Sequence, residues 1–302
     1  MADRILVLGA TGFLGRSVAH GVLDAGYQLR VLVRNQVAAG IFRVRGAEVV
    51  IGDAADAGAL ATACQGCAAV ISMVSVRRNH PQSFLEVNIE APRLLGEAAQ
   101  AAGVTKVIYI SQLGAQPDAR LKYLASRWAG EQALARTGIP FTILRFSSIL
   151  AEDGGILADF ERRCNFGPFI VIPDDGQQHS QPIIRDDAVR CVLETISRAD
   201  LYGQTLELGG PEVLSYEQLF EFFAGVRGIT KPRVKVPIPL LVPAAMLIGA
   251  VMSDPIITPD ELATLSAESI AGSLDAVVSH FNFRPNSPSA WALTHWKLRS
   301  AT

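Results

Sequence analysis

Ser111, Tyr123 and Arg127 carry side chains that proton transfer at a carbonyl group requires. Tyr123 and Arg127 lie four residues apart in a predicted helix, so their side chains share one helix face. A phenol beside a fixed cation can act as a general acid or base, because the cation lowers the phenol pKa. The hydroxyl of Ser111, which follows a predicted strand, could hold the carbonyl oxygen. The alternative is that Tyr123 and Arg127 belong to an ordinary helix face.

Such a trio suits hydride transfer if a nicotinamide ring lies beside it, and the first fifteen residues contain a candidate nucleotide site. The apolar run of residues 4–8 stops at Gly9, and a helical pattern follows. This order predicts a buried parallel strand, a tight turn and a helix. We therefore expect nucleotide contacts from Gly9, Thr11, Gly12, Phe13, Leu14 and Gly15.

The three glycines of this loop have separate predicted roles. Gly9 permits the sharp turn, Gly12 lets the backbone approach a pyrophosphate, and Gly15 lets the helix pack closely on the strand. The N–H groups at the helix N-terminus then point at the phosphates. A glycine-rich turn that binds nothing is the alternative, but the strand before it and the helix after it favour the nucleotide site.

Arg34 follows the second predicted strand, at the position that selects between NAD and NADP in dinucleotide-binding folds. An acidic residue there would accept hydrogen bonds from the ribose 2′-hydroxyl of NAD, whereas an arginine can bind the 2′-phosphate of NADP. Arg43 and Arg45 lie a little downstream. We favour NADP(H), with NAD(H) as the alternative, and a solvated loop arginine is the interpretation without a ligand.

Further contacts are expected where the third and fourth predicted strands end. Asp53, with Ala54 beside it, could contact the adenine or could cap the helix that begins near Asp56. Val74 and Ser75 would face the cofactor, because ligands bind outside the carboxyl ends of parallel strands. The cationic side chains of the next loop could bind an anion or lie exposed in solvent; these are Arg77, Arg78 and His80.

Strand and helix patterns alternate without a break as far as residue 147. This alternation predicts an α/β Rossmann-type fold, a parallel sheet wound on both faces with right-handed crossovers. After Ser147 short strands, prolines and helices mix. We therefore predict a dinucleotide-binding domain over residues 1–147, with its sheet completed by later strands, and a smaller α+β lobe over residues 148–302 for substrate or partner.

The composition indicates a well-packed globular protein with no basic field for nucleic acid. Of the 302 residues, 49% are apolar and 19% are charged, and the net charge is −2. The N-terminal residues lack the features of a signal peptide, so we expect the protein in the cytoplasm. Cys64 and Cys67 have C-x-x-C spacing, but nothing completes a zinc site, which favours packed thiols over a redox or metal pair.

The most apolar stretch, Pro237 to Met252, is too short to cross a membrane. It could line a substrate pocket, or it could contact a protein complex or a membrane surface. The second interpretation adds peripheral attachment at the inner membrane as an alternative location.

The chain resembles the atypical and extended branches of the short-chain dehydrogenase/reductase superfamily over most of its length. The resemblance rests on the glycine spacing, Gly52-Asp53, Ser111 and the Tyr123-x-x-x-Arg127 pair. Further segments are similar to the group that contains the nucleotide-binding accessory subunit of respiratory complex I and its bacterial relatives; these are residues 126–131, 144–145, 209–212 and 257–261.

One residue departs from the superfamily pattern, since Arg127 stands where the active-site motif has lysine. In the superfamily that lysine binds the nicotinamide ribose and lowers the tyrosine pKa. Arginine keeps the charge and could hold the ribose, but it cannot relay a proton. The resemblance therefore implies a bound nucleotide with a structural or regulatory role in a complex. The alternatives are an active reductase, dehydrogenase or epimerase on a small carbonyl or sugar-like substrate, and a redox-sensing regulator.

Overall fold

The computed structural model describes residues 3–78, 82–252 and 255–297. The strands are β1 (Arg4–Leu8), β2 (Gln28–Val33), β3 (Glu48–Ile51), β4 (Ala69–Ser72), β5 (Lys106–Gln112), β6 (Phe141–Phe146), β7 (Ile149–Ala151), β8 (Ile170–Pro173), β9 (His179–Ser180), β10 (Ile183–Ile184), β11 (Gln204–Leu208), β12 (Leu214–Ser215) and β13 (Arg233–Val236). The α-helices are α1 (Phe13–Asp24), α2 (Gln36–Arg43), α3 (Ala57–Cys64), α4 (Ala91–Ala101), α5 (Lys122–Ala135), α6 (Gly155–Cys164), α7 (Arg185–Thr195), α8 (Tyr216–Arg227), α9 (Ile238–Val251), α10 (Pro259–Leu265), α11 (Ala276–Phe281) and α12 (Pro288–Lys297).

A seven-stranded sheet in the order β11-β6-β5-β4-β1-β2-β3 organises the fold. The pairs β1–β2, β2–β3, β1–β4 and β4–β5 are parallel. Strand order reverses between β1 and β4, because the chain builds β2 and β3 on one side of β1 and then β4 on the other. Ligands of doubly wound sheets bind at such a reversal, outside the carboxyl ends of the strands. The predicted α/β Rossmann-type fold is confirmed.

Apolar side chains cover both faces of the central strands, which is why β1 and β4 are continuous apolar runs rather than alternating ones. The helices pack close to the sheet and to one another at glycines. A Cβ on Gly96 of α4 would lie 2.3 Å from the Thr137 hydroxyl, and a Cβ on Gly21 of α1 would lie 2.6 Å from Leu193 of α7.

The chain separates into two compact units. The first contains Met1–Asp118, Leu124–Arg145 and Ala188–Leu206, and the second contains Ala119–Tyr123, Phe146–Asp187 and Glu207–Thr302. The first holds the central sheet, and β11 joins that sheet as a late strand. The second mixes helices with short strand pairs, β7–β10, β9–β12 and β8–β13, and has its own aromatic core around Phe160, Phe220 and Phe223.

Helix caps follow the sequence signals closely. Ser215 with Gln218 and Thr258 with Glu261 form complete capping boxes at the N-termini of α8 and α10. The Asp56 side chain accepts the Ala59 amide at the start of α3. Helix α1 is different, because its N-cap residue, Gly12, offers no side-chain acceptor.

The sequence predicts one long amphipathic helix over residues 84–102, but the structure divides this segment into two elements. Leu85–Glu90 is π-helical, and α4 begins at Ala91. Pro92 explains the change, because it has no N–H to donate to the carbonyl of Asn88 four residues earlier. The Ala91 amide donates instead to the Glu86 carbonyl, a π-helical bond. Helix α2 lacked a sequence signal strong enough to predict it.

Cys64 and Cys67 are buried free thiols, in agreement with the packed-thiol interpretation. Burial raises the pKa of Cys64 to about 12 and also raises that of Cys67. Arg30 donates to the carbonyls of Ala63 and Gln65, which fixes the backbone between the two cysteines. Both thiols therefore stay protonated at neutral pH and are poor nucleophiles.

Helix α9 corresponds to the apolar stretch from Pro237 to Met252. Ala245 is its one fully buried residue, and most of its other side chains are exposed. Across the described ranges, no helix has the length and hydropathy that crossing a bilayer would require.

Candidate functional site

The loops that follow β1 and β4 contact each other at the strand-order reversal. The Met73 amide donates to the Leu8 carbonyl at 3.1 Å. Gly9 has φ +79°, and a Cβ on it would lie 3.1–3.2 Å from the backbone of Met73 and Val74. Glycine therefore provides both the left-handed turn and the room for this contact.

The glycine loop folds tightly against the start of α1. A Cβ on Gly15 would lie 2.0 Å from the Gly9 carbonyl oxygen, so the close helix–strand packing predicted for Gly15 is present. The Gly12 amide donates to that same oxygen at 3.0 Å. Thr11 and Gly12 are exposed and α1 has no side-chain cap. The loop therefore presents an open helix N-terminus, a suitable cradle for phosphate groups.

Arg34 is exposed directly after β2, and its Nη1 lies 3.1 Å from the side-chain oxygen of Gln82. Because Gln82 is neutral, the arginine charge is not neutralised by this contact. The next residue, Asn35, caps α2 by accepting the Ala38 amide. Arg45 forms an ion pair with Asp24, and Arg43 donates to Gln36.

Gly52, Asp53 and Ala54 follow β3. The Asp53 carboxylate accepts the Ala55 amide at 2.9 Å, and Asp56 rather than Asp53 caps α3. Helix α3 packs close to this turn, because a Cβ on Gly52 would lie 2.5 Å from that of Ala59. Asp53 thus shapes the turn without being the cap.

Asn88 holds the loop after β4 in place. Its side-chain oxygen accepts the Val76 amide, and its NH₂ donates to the Val76 carbonyl and to the Ser126 hydroxyl, all at 2.9 Å. Val74 is half-buried and Ser75 is exposed in this loop. Arg77 and Arg78 follow in the same loop, whereas His80 lies outside the described residues.

Arg127 is fully buried on α5, although it is charged. Its guanidinium donates to the carbonyls of Ile110, at the end of β5, and of Val74, and it stacks over the Tyr109 ring at 4.9 Å. A guanidinium can bridge two carbonyls in this way because its donors form a rigid fork. The cation therefore ties the carboxyl ends of β4 and β5 together.

Ser111 and Tyr123 are both buried, each in a different unit. Strand β5 runs two residues further than predicted, so Ser111 lies inside the strand. The Ser111 hydroxyl has no hydrogen-bond partner within the described ranges. A buried hydroxyl without a partner is costly and points to a group that the site would accept from outside. Tyr123 is the second residue of α5.

Sequence reasoning missed how Asn88, Glu131 and Arg145 support this region. Glu131 is fully buried on α5, and both its oxygens bind the Arg145 guanidinium of β6, at 2.6–3.2 Å. A two-point ion pair of this kind fixes the helix against the sheet. The sequence signal for this pair was a polar residue, Glu131, on the helix face that the periodicity assigns to the core.

The model of the NmrA-like family matches residues 1–253. The chain belongs to the NmrA-like family. With its seven-stranded sheet and glycine loop, it is an atypical short-chain dehydrogenase/reductase-like protein with that superfamily's NAD(P)-binding fold. The resemblance that the sequence motifs indicate is therefore confirmed.

Curated relatives of this NmrA-like chain include photosystem II assembly factors and a subunit of a mitochondrial NADH dehydrogenase. The photosystem II assembly factor Ycf39 of Guillardia theta is 26% identical, covering 93% of this chain and 90% of that protein. The Cyanophora paradoxa factor is 32% identical, but the match spans only 47% of this chain and 44% of that protein. The mouse mitochondrial NADH dehydrogenase [ubiquinone] 1 alpha subcomplex subunit 9 is 27% identical over 78% of this chain and 64% of that protein.

Solved structures share the fold. An NADPH-dependent quinone oxidoreductase of Escherichia coli, complexed with NADPH, has a TM-score of 0.76 at 22% identity, covering 96% of this chain and 98% of that chain. A UDP-glucose 4-epimerase of Thermotoga maritima has a TM-score of 0.72 at 18% identity and covers 99% of both chains.

Proposed function

We propose that this NmrA-like protein binds NADP(H) at the β1–β4 reversal and keeps it as a structural or regulatory nucleotide within an assembly. The open N-terminus of α1 would take the pyrophosphate through Thr11, Gly12, Phe13, Leu14 and Gly15. Asp53 and Ala54 would lie along the adenine, and Val74 and Ser75 would lie on the nicotinamide side. The solved quinone oxidoreductase of the same fold is described with NADPH.

Arg34 supports NADP(H) over NAD(H). It stands exposed at the end of β2, where the adenosine ribose binds in this fold, and its side chain contacts the neutral Gln82. A guanidinium can take a 2′-phosphate through two parallel hydrogen bonds. No acidic residue occupies this position to favour the 2′-hydroxyl of NAD.

The observation that carries the non-catalytic role is the position of the Arg127 guanidinium. The superfamily lysine acts on the nicotinamide ribose and the tyrosine, but this cation is buried and donates to the Ile110 and Val74 carbonyls. Arginine also differs from lysine in that it cannot relay a proton. Arg127 thus joins two strand ends beside the nucleotide, and it is a weak candidate for turnover.

The test is the nucleotide content of the purified protein. Denaturation followed by mass spectrometry should release NADP⁺ or NADPH, and the mass of the 2′-phosphate distinguishes these from NAD(H). Titration of nucleotide-free protein with NADPH and NADH should show tighter binding of NADPH. Protein that releases no nicotinamide nucleotide and binds neither in titration would refute the proposal.

An active reductase, dehydrogenase or epimerase is the second candidate, favoured by the buried Ser111 hydroxyl, which has no hydrogen-bond partner among the residues that the structure describes. In that reaction Ser111 would hold the substrate oxygen, and Tyr123 would supply the proton. Turnover of a panel of small carbonyl compounds with NADPH, lost in Tyr123→Phe, would support it. Ser111→Ala is the companion variant, because it removes the Ser111 hydroxyl without adding volume.

The regulatory form of the proposal has its own measurement. Capture of partner proteins with immobilised protein should change with the NADP⁺/NADPH ratio if the nucleotide reports redox state. Equal capture at both extremes of the ratio would contradict the regulatory role and leave a structural role as the remaining one.

The second unit is the part that we assign to a substrate or partner, and the segment from Pro237 to Met252 is its attachment surface for a protein complex or a membrane. The names of two relatives, a photosystem II assembly factor and an NADH dehydrogenase subcomplex subunit, support a role within a protein assembly. We therefore infer a cytoplasmic protein with peripheral attachment at the inner membrane.

A further inference from the structure

Helix α9 exposes a continuous aliphatic stripe. Leu240, Leu247 and Val251 are 67%, 71% and 88% exposed. With about 100° of rotation per residue, these three side chains lie within roughly 40° of one another around the helix axis. Met246 is also exposed, about 100° around the helix axis from Leu247. None of the fourteen residues of α9 has a polar side chain.

An adjacent side of α9 packs against other residues of the second unit. Ala245 is buried, Leu241 and Ile248 are half-buried, and α10 packs against the helix. The Asp174 carboxylate accepts the first amide of α9, that of Ile238, at 2.7 Å. These contacts fix α9 in place, so the stripe is a surface of an ordered helix.

Cationic residues flank both ends of α9. Lys231, Arg233 and Lys235 precede it on and next to β13. Arg233 and Lys235 form exposed ion pairs with Glu221 and Glu217, and such pairs are weak enough to exchange partners. Beyond the other end, exposed Arg162 donates to the Pro255 carbonyl at 3.1 Å.

Further apolar side chains lie exposed along the β8–β13 pair. Val171 and Val234 are partners in the register and both are exposed. Phe166 and Phe169 are about half exposed on the turn that enters β8. The Lys231 ammonium holds this turn through the carbonyls of Cys164 and Gly167. Exposed phenyl rings, lysines and an aliphatic helix within one unit are a combination typical of membrane-interface segments.

We propose that the α9 stripe inserts into the interfacial layer of an anionic lipid bilayer, with the flanking cations at the headgroups. A protein–protein interface contains about one hydrogen bond for each 100–200 Å², and the side chains of the stripe can form none. This composition favours lipid over a protein partner. At 1.5 Å per residue α9 is about 21 Å long, which is too short to cross the hydrocarbon core, so the helix lies along the surface. This inference rests on the attachment surface named above and deepens it by naming its occupant.

Vesicle flotation tests the proposal with the full chain. The probes are vesicles of phosphatidylcholine alone and of phosphatidylcholine with a quarter phosphatidylglycerol. The wild type should float with the anionic vesicles, and less with the neutral ones. The variant Leu247→Asp/Val251→Asp should bind the anionic vesicles at least tenfold more weakly, because a charge enters the apolar layer at each position.

Val37→Asp/Val44→Asp is the matched control, since these two valines of the α2 region are 86% and 89% exposed in the first unit. It should float like the wild type, and both double variants should retain the wild-type nucleotide content. Measuring the nucleotide content distinguishes failure of the membrane proposal from failure of the nucleotide proposal.

Three results would overturn the bilayer as occupant. The first is a wild type that stays in solution with both vesicle types. The second is a Leu247→Asp/Val251→Asp variant that floats like the wild type. The third is lipid-free dimerisation in sedimentation velocity that this variant abolishes, which would make a second copy of the chain the occupant. Equal flotation with neutral and anionic vesicles would overturn the part assigned to the cations.

Discussion

The side-chain amide of Asn88 pairs with both backbone polar groups of Val76, at 2.9 Å for each bond. It thereby acts as a short piece of strand, satisfying the N–H and the carbonyl of one loop residue. This pairing holds the segment next to Val74 and Ser75, where the nicotinamide side of the site is proposed. The geometry of that loop therefore depends on one buried amide in a π-helical segment.

Asn88→Asp should lower both stability and nucleotide binding. The substitution keeps the shape but replaces a donor NH₂ with a buried carboxylate oxygen facing the Val76 carbonyl and the Ser126 hydroxyl. We expect the free energy of unfolding in urea to fall by about 3 kcal/mol. Asn165→Asp, at the exposed end of α6, is the control and should change it by less than about 0.5 kcal/mol. Equal effects would show that Asn88 does not hold the loop.

Gly12→Ala and Gly15→Ala should separate binding from folding. Gly12 has φ −74°, which alanine adopts freely, so Gly12→Ala should fold and raise the Kd for NADPH at least tenfold by placing a methyl group in the phosphate cradle. Gly15→Ala would force a Cβ to 2.0 Å from the Gly9 carbonyl and should cost about 3 kcal/mol of stability. Melting curves and fluorescence titrations measure the two effects.

Gly225→Ala is the matched control for these glycine variants. Gly225 lies in α8, and a Cβ added to it would have no neighbouring atom within 4 Å, so alanine should leave NADPH binding unchanged. Helix propensity should raise stability by up to about 1 kcal/mol. If Gly12→Ala bound NADPH as tightly as Gly225→Ala does, the phosphate cradle would lie elsewhere.

The sheet and the glycine loop were predictable because their signals are local. An apolar run before Gly9 and a helical pattern after Gly12 fix a strand, a turn and a helix within fifteen residues. The capping boxes at Ser215 and Thr258 are equally local, since each spans one helical turn.

The supports of the site were less predictable because each joins distant parts of the chain. Arg127 meets the carbonyl of Val74 from 53 residues away, and Asn88 meets Ser126 from 38 residues away. No periodicity encodes which backbone carbonyl a buried guanidinium will reach. The spacing of four residues correctly predicted that Tyr123 and Arg127 share one face of α5. Which groups contact that face depends on the tertiary structure, which the spacing does not encode.

Arg34→Ala should weaken NADPH binding far more than NADH binding. Removing a charge-assisted contact to the 2′-phosphate should raise the Kd for NADPH by about 10- to 100-fold, whereas the Kd for NADH should change by less than about threefold. Arg45→Ala is the control, because Arg45 is engaged by Asp24. Isothermal titration of both nucleotides gives the ratio. An equal loss for the two would mean that Arg34 does not recognise the 2′-phosphate.

Lys106 should make stability depend on pH in the alkaline range. Its ammonium is buried at the start of β5, donates to the carbonyls of Thr195 and Arg198, and lies 4.8 Å from the centre of the Tyr202 ring. Burial lowers the pKa of Lys106 from 10.5 to about 8. Between these two values the unfolded chain binds the proton and the folded chain does not, so folding becomes more favourable as pH rises.

The Lys106→Met variant isolates this contribution. From pH 8 to pH 10.5 the wild type should gain about 3 kcal/mol of unfolding free energy relative to Lys106→Met, because a full proton difference corresponds to about 1.36 kcal/mol per pH unit. Lys122→Met, at a lysine whose side chain is 68% exposed, should run parallel to the wild type over the same range. Urea unfolding at half-unit pH steps measures all three curves. A wild-type curve parallel to that of Lys106→Met would show that Lys106 keeps its ordinary pKa despite its burial.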